Sequence, residues 1–333
     1  MDELRSLCAA EGLPKYAPTQ IADWLYRKRV RTIERMRNLS KSHRALLQQK
    51  YEVGHIAAKD VVTSRDGTRK YLFPTGEEGQ MIEAVMIPDH DRATLCVSSQ
   101  AGCRMGCVFC MTGRQGFHGN LSSREIVSQF MNVAESESLT NAVFMGMGEP
   151  LDNWGEVSRA LTILTSEWGF GWSPKRITLS TIGDLASLKD FLDNTECHLA
   201  VSIHNPFPDE RAALMPVQRR YPLGDVLDLV RRYDFTGQRR VTFEYTMFAG
   251  VNDTRRHADA LGRLLKGLEC RVNLIRFHQI PDSPLRTSSP QAIEFFKERL
   301  EFCGVTTTVR ASRGEDILAA CGMLAGRNKQ KQL

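Results

Sequence analysis

From residue 93 onward the apolar and polar positions switch between two periods. Short apolar runs of strand length, "ATLCVSS", "NAVFMGMG", "RITLSTIG", "HLAVSIHN", "RVTFEYTMF" and "RVNLIRFH", alternate with helix-spaced stretches such as "SREIVSQFMNVAES", "LGDVLDLVRRY" and "RRHADALGRLLKG". A last strand, "TTTVRAS", follows the helical "PQAIEFFKERLEFCG", which starts with Pro290 and ends at Gly304. Mostly apolar strands alternating with helices predict βα units and a parallel sheet covered on both faces. Six such repeats predict an α/β fold whose sheet curves into a full or partial barrel. In such folds chemistry gathers at the C-terminal ends of the strands. A cysteine-rich loop follows the first strand, "GMGEP" ends the second, "STIG" the third and "SIHN" the fourth, and His278 ends the sixth.

The preceding residues pattern differently. Ile21, Trp24, Leu25 and Tyr26 give part of an apolar helix face that Pro18 can open, and Leu39, Leu46 and Leu47 suggest a further helix. "DVVTS", "RKYLF" and "MIEAVMI", separated by "RDG" and "TGEEG", predict a small antiparallel meander. The expected division is a helical unit over 1–55, a meander linker over 56–90, a core over 91–326 and a disordered tail over 327–333.

Composition narrows the class. At 333 residues, with 25% charged and 42% hydrophobic residues, the chain has the make-up of an ordinary globular protein. No apolar run is long enough to span a membrane, and "MDELRSLCAAEG" lacks the basic start and apolar stretch of a signal peptide. A cytoplasmic protein without membrane contact, and a monomer, is expected. The net charge of +5 is mild but uneven. Between Lys15 and Lys50 the basic residues meet only Asp23 and Glu34, and "RKRVRTIERMR" sits in the middle. Either a solvated helix face or a nucleic-acid contact explains the run, and the near absence of acids favours the second. In a reducing compartment the nine cysteines are not structural disulfides. Cys8, Cys197, Cys270 and Cys303 sit among apolar residues and read as small buried hydrophobes.

"AGCRMGCVFCMTG" holds Cys103, Cys107 and Cys110. A structural zinc site needs four ligands and would have to recruit His118 or a distant cysteine. A cubane iron–sulfur cluster explains the trio directly: three thiolates hold three irons, and the fourth iron stays open to a chelating amino acid. Cys-x3-Cys-x2-Cys with Phe109 before the last cysteine resembles the signature of the radical S-adenosylmethionine (SAM) enzymes. That resemblance implies a partial (βα)6 TIM-like barrel, one [4Fe-4S] cluster on Cys103, Cys107 and Cys110, and SAM bound on the open iron. By the same resemblance Gly148 and Glu149 in "GMGEP" receive the methionine amino group. Ser180, Ser202, Ile203 and His204 match further SAM-contacting positions.

Two further cysteines sharpen the likeness. Cys96 in "ATLCVSSQAGC" and Cys321 in "RGEDILAACGMLAG", with "GQMIEAVMIPDHDRATLCVSSQ", resemble the RlmN/Cfr family of RNA adenine methyltransferases over nearly the whole chain. The resemblance implies two SAM molecules per turnover. Cys321 takes a methyl group from the first, and the adenosyl radical from the second removes a hydrogen from it. The resulting carbon radical adds to the ring, Glu83 removes the ring proton, and Cys96 resolves the adduct through a transient disulfide with Cys321. Adenine C2 is electrophilic and cannot attack SAM itself, whereas a thiolate can. Methylation at C8, as in the sister branch, uses the same residues. The implied substrates are an adenine of 23S rRNA and the adenine beside the anticodon of tRNAs, with flavodoxin or ferredoxin as electron donor. His278 stands where many relatives carry Asn, so an imidazole would replace an amide against SAM. A zinc-dependent, non-catalytic RNA-binding module is the remaining alternative.

Overall fold

The computed structural model describes residues 1–76, 79–237 and 239–325. The expected tail, 327–333, and residue 326 lie outside the described residues.

The N-terminal unit carries three helices: α1 (Asp2–Ala10), α2 (Ala17–Ala22) with Pro18 in its first turn, and α3 (Lys41–Lys50). Ser40 caps α3 by accepting the His43 N–H at 3.1 Å. A single π-helical turn, Asp23–Arg27, extends α2 to the start of the basic run; beyond it the run is not helical but bends, with one 3-10 turn, Ile33–Arg35. The reason is its period. Val30, Ile33, Met36 and Leu39 recur every third residue and are all buried, with Cys8, Ile21 and Leu47, in a small core of their own. A period of three suits tight turns.

Strands β1 (Asp60–Thr63), β2 (Arg69–Pro74), β3 (Met81–Asp89) and β4 (Arg92–Cys96) follow as an antiparallel run. The cysteine loop stands on a two-stranded ribbon of β5 (Gln100–Gly102) and β6 (Phe117–Asn120), with the short α4 (Met111–Arg114) between them. Then come α5 (Ser123–Met131), β7 (Asn141–Phe144), α6 (Trp154–Thr165), β8 (Ile177–Thr181), α7 (Leu185–Asn194) and β9 (His198–Ser202). The chain continues through α8 (Pro208–Leu214), α9 (Leu223–Val230), β10 (Val241–Met247), α10 (Arg255–Leu264), β11 (Cys270–Arg276), α11 (Pro290–Phe302) and β12 (Thr306–Arg310). A capping box of Ser122 and Glu125 starts α5, and Asp184 and Ser289 cap α7 and α11.

One ten-stranded sheet runs β1-β2-β3-β4-β7-β8-β9-β10-β11-β12. From β4 to β12 every pairing is parallel. The order is linear, so the barrel is partial. The expected meander does not stand apart: β1 to β3 are the antiparallel edge of this same sheet, joined to it where Val85 pairs with Cys96.

Register decides which side chains meet. Cys96 pairs with Val143, Val143 with Thr178, Ser180 with Ala200, Ser202 with Glu244, Thr246 with Ile275 and Ile275 with Arg310. Because side chains two residues apart share a face, Cys96, Ser180, Ser202, Glu244 and Arg310 all stand on one face. Four of these, from β8, β9, β10 and β12, line a single cavity, so the sheet curves and this face is the concave one. The opposite face carries Leu95, Leu179, Leu199, Phe243 and Leu274, each fully buried in the main core.

Candidate active site

The cysteine loop is built by close backbone contacts. Cys103 N donates to Gly116 O at 2.8 Å. Gly102 has φ +71°, and a Cβ there would lie 2.0 Å from that same carbonyl, so only glycine fits. At the end of β7, Gly148 has φ +99°, and a Cβ would meet the Gln100 side chain at 2.5 Å. Gln100 Oε1 in turn accepts the Glu149 N–H at 2.9 Å. These approaches bring "GMGEP" against the cysteine loop.

Between them lies a cavity of about 160 Å³ whose walls include Cys103, Cys107, Cys110, Gly148, Glu149, Ser180, Ser202, His204 and Cys321. Nine of the thirteen residues expected in the site therefore share one wall. Burial first, then the neighbouring thiols, hold the Cys107 thiol far above its ordinary value. Burial pushes Cys103 up to about 12 and raises Cys110. A cationic iron–sulfur group bound between them would favour the ionised form of all three thiols. Among the described residues no three His, Cys, Asp or Glu side chains gather about a single point as one metal ion would need. A cubane places each thiolate on a different iron, and the three cysteines around one cavity fit that group.

Glu149 is buried. It accepts from Thr181 Oγ1 at 2.6 Å, Ile182 N at 3.1 Å and Leu151 N at 3.2 Å. Burial pushes its carboxyl up to about 7 against those hydrogen bonds. A ligand ammonium at this wall would restore the charged form. His204 has φ +56° and is buried. Its Nδ1 accepts the Thr246 N–H at 2.9 Å, which leaves the ring's proton on Nε2 as a donor. Burial, then Arg211, brings its pKa down to about 3, so the ring stays neutral.

Four expected residues stand elsewhere or face away. Ile203 is fully buried in the main core and is not part of the cavity wall; its carbonyl accepts from Arg211 Nε at 3.0 Å. His278 lines a neighbouring cavity with Ser312, Arg313 and Ala320, where its Nε2 lies 3.1 Å from Ser312 Oγ and its Nδ1 3.3 Å from Glu315. Cys96, in β4, is buried and does not reach the cavity wall. Glu83 lines a third cavity of about 510 Å³ together with Lys70, Met111 and Ala325. Glu83 faces away from its neighbours Ile82 and Ala84 and shares a face with Val85 and Cys96. Its Oε1 lies 3.1 Å from Lys70 Nζ and its Oε2 accepts the Ala325 N–H at 2.9 Å.

The C-terminal segment explains these separations. Met111 N donates to Gly322 O at 2.8 Å, Thr112 Oγ1 to Leu324 O at 2.6 Å, and Ala325 N to Glu83. The segment thus lies as a strap between the cysteine loop and β3, with Cys321 on the cysteine side and Met323 and Ala325 on the Glu83 side. Cys96 and Cys321 are both free thiols. Burial pushes Cys96 up to about 12, with Cys321 adding and Arg310 opposing. Cys321 is the largest influence raising Arg310, with Glu244 and Cys96 also contributing. Arg310 and Glu244 are site residues that the sequence reading missed. Their only signal was position, a charged residue late in a strand of a βα repeat.

The comparisons with known proteins agree with this geometry. The Radical SAM superfamily model matches residues 97–261, and the ribosomal RNA large subunit methyltransferase N-terminal domain model matches residues 1–53. The "Probable dual-specificity RNA methyltransferase RlmN" of Porphyromonas gingivalis is 54% identical over 98% of this chain and 95% of its own length. The chain belongs to the RlmN family. Its relatives include the "Dual-specificity RNA methyltransferase RlmN" of Syntrophus aciditrophicus, 41% identical over 100% of this chain and 97% of its own length. The crystal structure of a radical SAM methyltransferase from Sphaerobacter thermophilus shares the fold with a TM-score of 0.91 and 41% identity, covering 98% of this chain and 97% of that one. An RlmN-family chain is a radical SAM RNA methyltransferase, and its family implies SAM and a [4Fe-4S] cluster. The non-catalytic zinc module falls with this assignment. Among the described residues no helix is long and apolar enough to cross a membrane.

Proposed function

We propose that this enzyme methylates C2 of an adenine in 23S rRNA and of the adenine beside the anticodon in tRNAs, through a methyl group carried on Cys321. The observation that carries the reading is Cys321 on the wall it shares with Cys103, Cys107 and Cys110, with Arg310 on that same wall. When bound, the cluster would supply the electron that splits SAM into methionine and an adenosyl radical. Glu149 holds the ammonium of SAM, the His204 Nε2–H and the Ser180 and Ser202 hydroxyls orient it, and Gly148 leaves the backbone open to it. Ile203 acts through its backbone alone. Cys321 accepts the methyl from a first SAM as a thiolate, with Arg310 as the facing cation. Glu83 takes the ring proton from a base lodged in the larger cavity, which requires the strap to yield its hydrogen bond at Ala325. Cys96 then displaces the product from Cys321, and cellular thiols reduce the disulfide that results. His278, facing Ser312 and Glu315, supports the loop after β11 rather than SAM.

The basic unit over 1–55 grips RNA phosphates, the residues 56–90 brace it, and the core from 91 does the chemistry. The enzyme works in the cytoplasm as a monomer, with flavodoxin or ferredoxin as donor. Mass spectrometry of nucleosides after anaerobic reaction with rRNA fragments and tRNA tests the regiochemistry. The expected product is 2-methyladenosine; 8-methyladenosine would assign the chain to the sister chemistry.

A further inference from the structure

Arg211, in α8, is fully buried, and no described carboxylate lies within salt-bridge distance of it. Its guanidinium donates only to neutral acceptors: Nε to Ile203 O at 3.0 Å, Nη2 to Ser202 O at 2.9 Å, and Nη1 to Gln218 Oε1. Burying a cation without a counter-charge costs several kcal/mol even after relaxation. Such an arrangement persists where an anion sits nearby. The carbonyls that hold Arg211 belong to the end of β9, next to Ser202 and His204 on the cavity wall. The residues after it carry the cysteine loop: Val108 N donates to Leu214 O at 3.0 Å, and Met105 and Phe109 pack in one cluster with Leu214, Met215 and Val217. Cys107 packs against that same cluster. Burial lowers Arg211 to about 10, and Cys107 is the group that opposes this.

We propose that Arg211 is a fixed, unneutralised positive charge beneath the Cys107 corner of the cluster site, which favours the cluster's reduced state and so sets its potential. The inference rests on the cluster reading above. Reduction adds one negative charge to a group already carrying three thiolates, and a buried cation at fixed range favours the more negative state. Arg211 is a positioning residue: it is not among the residues lining the cavity, and it acts through the charge at Cys107. Gln218 keeps that charge unneutralised. Its Oε1 accepts from both Arg211 Nη1 and Leu223 N, the latter at 3.1 Å. A carboxylate at 218 would keep both acceptor contacts and cancel the charge.

The test is a mediated redox titration with dithionite, read by electron paramagnetic resonance, on anaerobically reconstituted wild type, Gln218→Glu, Arg211→Met and Arg211→Lys. Iron and sulfide are counted beforehand, and circular dichroism checks the fold. Gln218→Glu should disfavour reduction at least tenfold, a shift of about 59 mV to more negative potential for one electron. Arg211→Met should shift further in the same direction, and Arg211→Lys should stay near wild type. Loss of the cluster from folded Gln218→Glu protein would also support the role. Unchanged midpoints in cluster-bearing Gln218→Glu overturn it, whether or not Arg211→Met folds. A wild type that takes up no iron or sulfide overturns the cluster reading itself, a separate result.

Discussion

In the N-terminal unit Arg31, Arg35 and Arg37 stand exposed around a small apolar core, while on the concave side of the sheet Glu83, Glu149, Glu244 and Arg211 are buried. The two regions use charge differently. Exposed arginines act together through the field they make, so each contributes a share and salt screens them all. Buried groups act one at a time, at fixed range and in low dielectric, so each has a separate task. Even the basic run is divided. Arg27 donates to the Glu167 carbonyl, and Arg29 donates to Ser136 and stacks over Phe170 at 5.0 Å. These two dock the unit on the core, so the freely exposed charge is narrower than the sequence run implied.

The contrast breaks most sharply at the thiols. Cys321→Ala should take methylation below detection while iron content and RNA affinity stay unchanged; residual turnover by nucleoside mass spectrometry would remove the carrier role. Cys96→Ala should stop the cycle one step later and leave RNA attached to protein, seen as a shifted band on a denaturing gel. If only free methylated RNA appears, another group resolves the adduct.

On the convex face, Phe243→Ala should cost about 3–5 kcal/mol in denaturant unfolding, because the cavity it leaves is closed on every side. A loss under about 1 kcal/mol would mean that the covering helices can collapse inward.

Glu149 gives the pH test. Its carboxyl is raised from 4.5 to about 7, so the fold holds a proton that the unfolded chain has lost. Unliganded stability from this group is therefore present at low pH and falls away between about 4.5 and 7, by about 3 kcal/mol in all. Glu149→Gln should be the more stable protein at pH 8 and equal near pH 4. SAM should reverse the order, binding wild type more tightly as pH rises through 7. A flat profile would separate Glu149 from the ammonium.

The smallest effects belong to the exposed unit. Arg31→Ala, Arg35→Ala and Arg37→Ala combined should flatten the salt dependence of RNA binding by about 2 in log–log slope, taking ~0.7 per charge. Arg29→Ala should lower stability and leave that slope alone. Equal slopes for both variants would erase the division within the run.

Much of this was legible before any fold was known. The strand and helix runs from residue 93 onward are those of the structure, because period and length report burial locally. The three cysteines, "GMGEP" and the two extra thiols carried the family resemblance, since their spacing has few other uses. Past Arg27 the basic run departs from the expected helical unit because its apolar residues recur every third position. Ile203 was grouped with Ser202 and His204, but neighbours on a strand end face opposite ways. His278 was placed by its position after β11, and only the packing of Ser312 and Glu315 shows which cavity it enters.

By itself, then, the sequence determined the elements, the family and the set of candidate side chains, all of which depend on local pattern and residue type. Only the tertiary structure decided the sharing of one face by Cys96, Ser180, Ser202, Glu244 and Arg310, the strap that parts Glu83 from Cys321, and the placing of Arg211 beneath the cysteine loop. Those facts depend on register between strands far apart in the chain, and on long-range packing that leaves no periodic trace in the sequence.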